Sequence, residues 1–458
     1  MQSNSSPLRQ ILQNYVTLPS TVHILCLGSF INRVGSFVML FLTIYVSEEL
    51  KMGKAFASYC IGAFGVGSIL SALLGGQLAD QIGRRATMLI ALLGGASILA
   101  SISFIQNGYV FMASLFVFAL IMEMYRPAAS AMIGDVASSA QRPHAYSLMY
   151  ISFNLGFAIA PPVGGWLASK SFQWLFWGDA FTSAMYGLVV LLLLKETHPR
   201  RQAQAAMSAI AAEAKHSGDT PEASAEALAS SESLQKLTQP ADSTIAAKEY
   251  SVLEAFGHIV RDINFLLFCF CSLITSIVFM QAFVTLPLYV RSMGFDEQQF
   301  GFMICVNGAM IVLLQLPMTH WLSRFNRIYV LLAGELLLAV GFGVTGFVTS
   351  AATIIASIML WTLGEILQAP YKPTIVAELA PVALRARYMG IFNISHAASI
   401  AIGAPLGGEI LARFGPRVLW PACGSTLIVT SLLYWILFRR LQSAVKEKSN
   451  TLVAAASG

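Results

Sequence analysis

Residues 55–79 read AFASYCIGAFGVGSILSALLGGQLA, without one Asp, Glu, Lys or Arg between Lys54 and Asp80. About 20 mostly apolar residues are what an α-helix needs to cross the hydrocarbon core of a bilayer. Gly and Ser recur among the Leu, Ile and Val, and small residues let helices pack closely in lipid. The stretch does not alternate apolar with polar, as the strands of a membrane barrel would. It reads as a membrane-crossing helix.

The same reading outward along the chain predicts twelve such helices, at about 21–46, 57–79, 86–105, 109–133, 145–169, 172–194, 263–290, 298–322, 327–348, 353–377, 387–411 and 417–438. The charge-free run from Ala86 to Met122 is two helices, because Gln106-Asn107-Gly108 is a turn signal. Composition agrees. Of the 458 residues, 56% are hydrophobic and 11% charged, whereas a soluble domain carries about 25% charge. That excludes a soluble enzyme, a disordered protein and a nucleic-acid-binding domain. Cys26, Cys60, Cys269, Cys271, Cys305 and Cys423 all sit in apolar runs. They read as small buried hydrophobes, not as disulfides or metal ligands. No metal and no cofactor is expected.

The fold class expected is an all-α polytopic membrane protein. Its divisions are an N-terminal segment 1–20, a six-helix bundle 21–195, a flexible linker 196–262 rich in Ala, Ser and Glu with some helical stretches, a second bundle 263–440 and a tail 441–458. No cleavable signal peptide is evident, and twelve crossings return to one side. Lys and Arg favour the cytoplasmic side. With the termini there, Lys51, Lys54, Lys170, Arg291, Arg413 and Arg417 fall outside, and Arg33, Arg126 and Lys372 lie at membrane depth. All other Lys and Arg are cytoplasmic. The chain also repeats at an offset of 243: Gly65 falls on Gly308, Arg84 on Arg327, Pro127 on Pro370, Asp135 on Glu378, Arg142 on Arg385, Pro162 on Pro405, Gly164 on Gly407 and Gly165 on Gly408. Six helices per repeat give both halves the same orientation, as in parallel repeats related by an axis along the membrane normal. Two bundles that rock against each other around a central cavity make a transporter.

The loop after the second helix reads Gly76-Gln77-Leu78-Ala79-Asp80-Gln81-Ile82-Gly83-Arg84-Arg85. Gly83 suits a tight turn, and Asp80 can cap a helix or pair with an Arg. The loop resembles the G-x-L-A-D-x-x-G-R-R/K signature of the major facilitator superfamily. The second half keeps a remnant, Ser323-Arg324-Phe325-Asn326-Arg327. With Asp135, Arg142, Glu378 and Arg385, these residues are the candidates for a cytoplasmic gate. Gly156, Pro161, Pro162, Gly164 and Gly165 in the fifth helix resemble that family's drug/proton antiporter motif, with an extra Pro. Pro405, Gly407 and Gly408 are their counterparts. Close helix packing and a hinge role in antiport both suit them.

Ionisable groups within the membrane are costly and face a cavity or a partner. Asn32, Arg33, Glu123, Arg126, Gln281, Glu365 and Lys372 are the cavity candidates, on helices that line the cavity in the family the chain resembles. Glu123 and Arg126 share a face at i,i+3, and Glu365 and Lys372, seven apart, share another. Low dielectric favours a protonated carboxyl, so Glu123 and Glu365 suit proton coupling. A permanent Glu123–Arg126 ion pair is the other reading. Asp179, Glu335 and Glu409 read as other acids within helices, each toward a helix end, and His396 as a packed residue. The resemblance to the multidrug-efflux branch implies a secondary transporter acting as a monomer in a bacterial inner membrane, with protons as coupling ion and small amphipathic compounds exported. An importer of a sugar, peptide or organic anion, and a non-transporting receptor or scaffold, are the alternatives. No Walker-type phosphate loop is present.

Overall fold

The computed structural model describes residues 15–138, 141–197, 252–322, 324–381 and 384–456. Twelve helices in it are long and apolar enough to span a bilayer: α1 Ser20–Glu49, α2 Gly53–Ile82, α3 Arg84–Ile102, α4 Gly108–Val136, α5 His144–Lys170, α6 Gln173–Leu193, α7 Ile263–Ser292, α8 Glu297–Leu322, α9 Arg327–Phe347, α10 Ala351–Leu379, α11 Arg387–Phe414 and α12 Pro416–Gln442. They form two six-helix bundles related by the parallel repeat. Most of the 196–262 linker, and Ser323 of the remnant motif, lie outside the described residues. The helices define two faces. The Lys54 face holds the α1–α2 turn, and the Gly83 face holds the α2–α3 turn.

Four helices are interrupted near mid-membrane. Helix α1 is broken between Val34 and Val38, and α4 between Met122 and Tyr125. Helix α7 is broken at Met280 and again at Thr285, and α10 between Gln368 and Tyr371. Such discontinuities free backbone groups and are tolerated in lipid only where protein or a water-filled space satisfies them. Phe37 and Met280, both at interruptions, are related by the 243-residue repeat. The break in α10 overturns the expected Glu365–Lys372 face, because the two residues stand on different helical segments. Helix α5, by contrast, runs unbroken through Pro161 and Pro162. Pro162 has no N–H for the Ala158 carbonyl, and the Cys305 thiol of α8 donates to that oxygen instead, at 3.2 Å.

The halves meet along two seams, α2 against α11 and α5 against α8. Glycine makes both possible. A Cβ on Gly62 would lie 2.6 Å from Pro405 Cγ, and one on Gly308 would lie 2.6 Å from Ala158 Cα. Gly65 presses equally closely on Ala401. Gly65·Ala401 and Gly308·Ala158 are the same contact at an offset of 243. Both seams lie in the half of the membrane toward the Lys54 face. Toward the Gly83 face they part, and a Cβ on Gly76 of α2 or Gly390 of α11 would meet nothing within 4 Å. The molecule is closed at the Lys54 face and open toward the Gly83 face.

One outer segment differs from expectation, and two others carry helix. Glu196 and Thr197, placed in the linker, dock on the Gly83 face, and Glu196 accepts from the Arg84 and Arg85 N–H groups at 2.9 and 3.1 Å. A carboxylate there complements the positive end of α3. At the linker's other end a short helix, Val252–Arg261, precedes α7, and Asp262 caps α7 by accepting from Phe265 N–H at 3.0 Å. The expected tail continues α12 as helix to Ala456, since 441–456 contains neither Gly nor Pro to stop it.

Candidate functional site

The opening between the halves is bordered at mid-depth by ionisable side chains from both. Glu123 closes the upper segment of α4, and Arg126 opens the lower one. Their side chains pair at 2.8 Å, with Arg126 half exposed to the gap. Arg33 of α1 lies beside them. Its guanidinium stacks over Phe153 at 4.0 Å and Phe157 at 5.0 Å, both on α5. Arg126 reaches the same Phe153 ring at 5.6 Å. Gly156 permits this approach, because a Cβ there would sit 2.8 Å from Arg33 Cβ. Arg33 Nε is buried without a hydrogen-bond partner.

On the opposite wall Glu365 of α10 accepts from Asn307 Nδ2 of α8 at 2.8 Å. Asn307 is buried and also donates to Thr362 Oγ1 at 3.1 Å, which fixes the amide's direction. Tyr150, exposed on α5 of the first half, lies within electrostatic reach of Glu365. His396 of α11 is exposed and within reach of both Arg126 and Lys372, so it borders the gap instead of packing in a core. Aromatic rings close the gap toward the Lys54 face. Phe157 meets Phe283 edge to face at 5.9 Å, Phe283 meets Phe279 at 5.8 Å, and Phe279 meets Trp361 at 5.7 Å.

Two candidates are elsewhere. Asn32 is buried and donates to Ser183 Oγ of α6 at 2.9 Å, inside the first bundle. Gln281 is buried and donates to the Ile277 and Gly403 carbonyls, which satisfies the interruption of α7. Lys372 is half-buried and faces Glu335 of α9, not Glu365. Asp179 lies within α6 as expected, though not at its end, and it accepts from the Val38 N–H where α1 restarts. The sequence reading missed that role; a buried acid opposite a Gly35-Ser36 break was the available signal. Glu335 is likewise fully buried within α9.

The gate candidates cluster on the Gly83 face, but each makes its contacts within its own half. Arg84 bonds Asp80 at 2.7 Å, Asp135 at 3.1 Å and the Ala79 carbonyl at 2.9 Å. Gly83 has φ +99°, and a Cβ there would also strike Glu196, so glycine is required at this turn. Arg85 donates to the Leu191 carbonyl at 2.6 Å, Arg142 to the Gly134 carbonyl at 2.9 Å and Arg385 to the Ala377 carbonyl at 3.0 Å. Arg327 pairs with Glu378, the repeat's copy of Arg84 with Asp135. Charges that cross between halves lie on the other face, where Arg291 binds Glu48 at 3.1 Å and Tyr59 donates to Glu409. The hinge candidates pack as small residues should. Gly164 lies against Phe37 and Phe41, Gly407 against Gln281, Gly165 against Glu297 and Gln298, and Gly408 against Ser58.

Comparison with known proteins places this geometry. The model of the Major Facilitator Superfamily matches residues 25–312 and 291–455. A Na(+), Li(+), K(+)/H(+) antiporter of Planococcus maritimus is 23% identical over 89% of this chain and 93% of its own length. Multidrug resistance protein MdtH of Edwardsiella ictaluri is 23% identical over 79% and 80%. The solved structure of a POT family transporter in complex with 5-aminolevulinic acid superimposes with a TM-score of 0.70 at 17% identity, covering 91% of this chain and 96% of that one. The likeness at that identity is one of fold. With twelve spans, two repeated bundles and a charged gap between them, the chain belongs to the major facilitator superfamily and is a membrane transporter, not an enzyme.

Proposed function

We propose that the protein exports small amphipathic compounds by alternating access, driven by protons that move inward through Glu123 and Glu365. One observation carries the reading. Each half contributes one carboxylate beside an interrupted helix, and both border the same gap. Their partners suit exchange. Arg126 pairs with Glu123, and breaking that pair frees both side chains. Asn307 can bond Glu365 in either state by way of its amide. The aromatic roof of Phe157, Phe283, Phe279 and Trp361 gives an apolar guest a surface without fixed directionality. The antiporter and multidrug resistance relatives support this direction. The charges on the Gly83 face, Arg84, Arg85, Arg142, Arg327 and Arg385, support a cytoplasmic Gly83 face, with the protein a monomer in a bacterial inner membrane.

A second reading, uptake of an organic anion, is favoured by Arg33, whose buried Nε lacks a partner next to the exposed Arg126. Purified protein in liposomes with an imposed pH gradient separates the two. Lipophilic cations, organic anions, sugars and peptides are assayed for driven movement and for exchange. Glu123→Gln and Glu365→Gln are expected to abolish driven movement while exchange persists. Full driven transport in both variants overturns the coupling role, and driven accumulation of anions alone selects the second reading.

A further inference from the structure

Glu335 is 0% exposed, enclosed by α7, α10 and α12. Its neighbour Gly334 brings α9 against α10 backbone to backbone, since a Cβ on Gly364 would lie 2.6 Å from the Gly334 carbonyl oxygen. The Gln368 amide donates to Glu335 Oε2. Thr275 Oγ1 lies 2.7 Å from Oε1 and 3.0 Å from the Cys271 carbonyl oxygen. The hydroxyl has one hydrogen for these two acceptors, and a helical Thr commonly gives it to the carbonyl four residues back. The contact with Oε1 serves either protonation state: the Thr275 hydroxyl donates to a carboxylate, or accepts from a protonated carboxyl while it bonds Cys271. A neutral Glu335 satisfies every group: Glu335 donates to Thr275, Thr275 to Cys271, and Gln368 to the remaining oxygen. An ionised Glu335 would be a fully buried carboxylate whose hydrogen-bond partners, Thr275 and Gln368, carry no charge.

The charged and titratable groups facing this carboxyl are Lys372 of α10, Cys271 of α7 and Tyr434 of α12. Lys372 interacts with it through space. Gln368 and Lys372 stand on either side of the α10 interruption. We propose that Glu335 is a proton-binding site of its own, separate from Glu123 and Glu365, loaded in the conformation described and emptied when Lys372 swings in to pair with it. On emptying, the Glu335 O–H bond breaks, the proton passes to water in the gap, and the Lys372 ammonium balances the carboxylate left behind. Because Gln368 bonds the same carboxyl from the other side of the break, drawing Lys372 onto it re-angles the lower segment of α10. The inference deepens the proton-coupled reading and rests on it.

Infrared spectroscopy of the full chain in lipid nanodiscs, titrated with pH and without substrate, tests it. A protonated-carboxyl C=O band is expected at neutral pH, absent from Glu335→Gln and retained in Glu123→Gln and Glu365→Gln. Thr275→Val, which removes the acceptor, is expected to shift the band to higher wavenumber, and Lys372→Met to keep it to higher pH. These two arms decide the matter if Glu335→Gln does not fold. Gly308→Val, which wedges a seam apart and favours the opposite opening, is expected to weaken the band; a purely structural acid would keep it. A spectrum insensitive to the Thr275 and Lys372 changes, or a full band in Gly308→Val, overturns the inference. Loss of driven transport in Glu365→Gln beside such a spectrum sinks this inference alone. Driven transport that survives in both Glu123→Gln and Glu365→Gln sinks the coupling reading instead, whatever the band does.

Discussion

At the scale of single residues, the repeat offers a controlled comparison. Arg84 and Arg327 occupy equivalent positions and bind equivalent acids, Asp135 and Glu378. Their surroundings differ. The Arg84 side chain is 11% exposed and Asp135 18%, whereas Arg327 and Glu378 are 51% and 57% exposed. Arg84→Ala leaves Asp135 largely buried without its cation and is expected to destabilise the fold by about 3 kcal/mol, the low end for breaking a buried pair. Arg327→Ala breaks an exposed pair and should cost about 1 kcal/mol or less. Unfolding midpoints of the two variants in the same detergent check this, and an equal or reversed ranking refutes it. Pairing by spacing was legible for Glu123 with Arg126, whose contact forms across the short interruption of α4. Asn32 and Gln281 were misread because polarity at membrane depth suggests a cavity, while both are consumed satisfying buried groups inside their own bundle.

At the scale of helices, all twelve spans were legible, with ends within about four residues, because lipid demands an apolar run of fixed length. The interruptions were not. Met280, Thr285 and Glu123 are ordinary helix residues in propensity, and only tertiary partners such as Gln281 to Gly403 and Asp179 to Val38 stabilise a break there. Pro370 was the exception, a visible stop that the Glu365–Lys372 spacing argument passed over. The glycine seams, by contrast, were half-visible: the repeat marked Gly65 and Gly308 without saying what they touch. Since each admits backbone at van der Waals contact or closer, Gly65→Val should overpack its seam by about 1–3 kcal/mol. That pushes the halves apart at the Lys54 face and shifts the population of the two openings by about 5–150-fold. Cys305, half-buried in the other seam, reports the shift. Its alkylation by a maleimide is expected to accelerate in Gly65→Val, and an unchanged rate would show that the seams do not move together.

At the scale of the whole molecule, two kinds of contact compete to explain why the Lys54 face is shut. Ions are the more conspicuous: Glu48 with Arg291 at 3.1 Å, and Tyr59 with Glu409. Yet Glu48 and Arg291 are 41% and 36% exposed, and ion pairs of that kind contribute about 0–1 kcal/mol and weaken as salt shortens the screening length. The seams bury helix against helix without gaps over half the membrane. They are joined by ring contacts between the halves such as Phe41 with Phe300 at 5.9 Å. Close packing should therefore outweigh charge in holding this opening. Glu48→Gln, or a rise in salt to about 1 M, where screening acts within about 3 Å, is expected to change Cys305 alkylation by less than about fivefold. Gly65→Val should exceed that. A larger response to salt than to the valine would mean that the Lys54 face is latched by its charges, and that the glycine seams follow the latch.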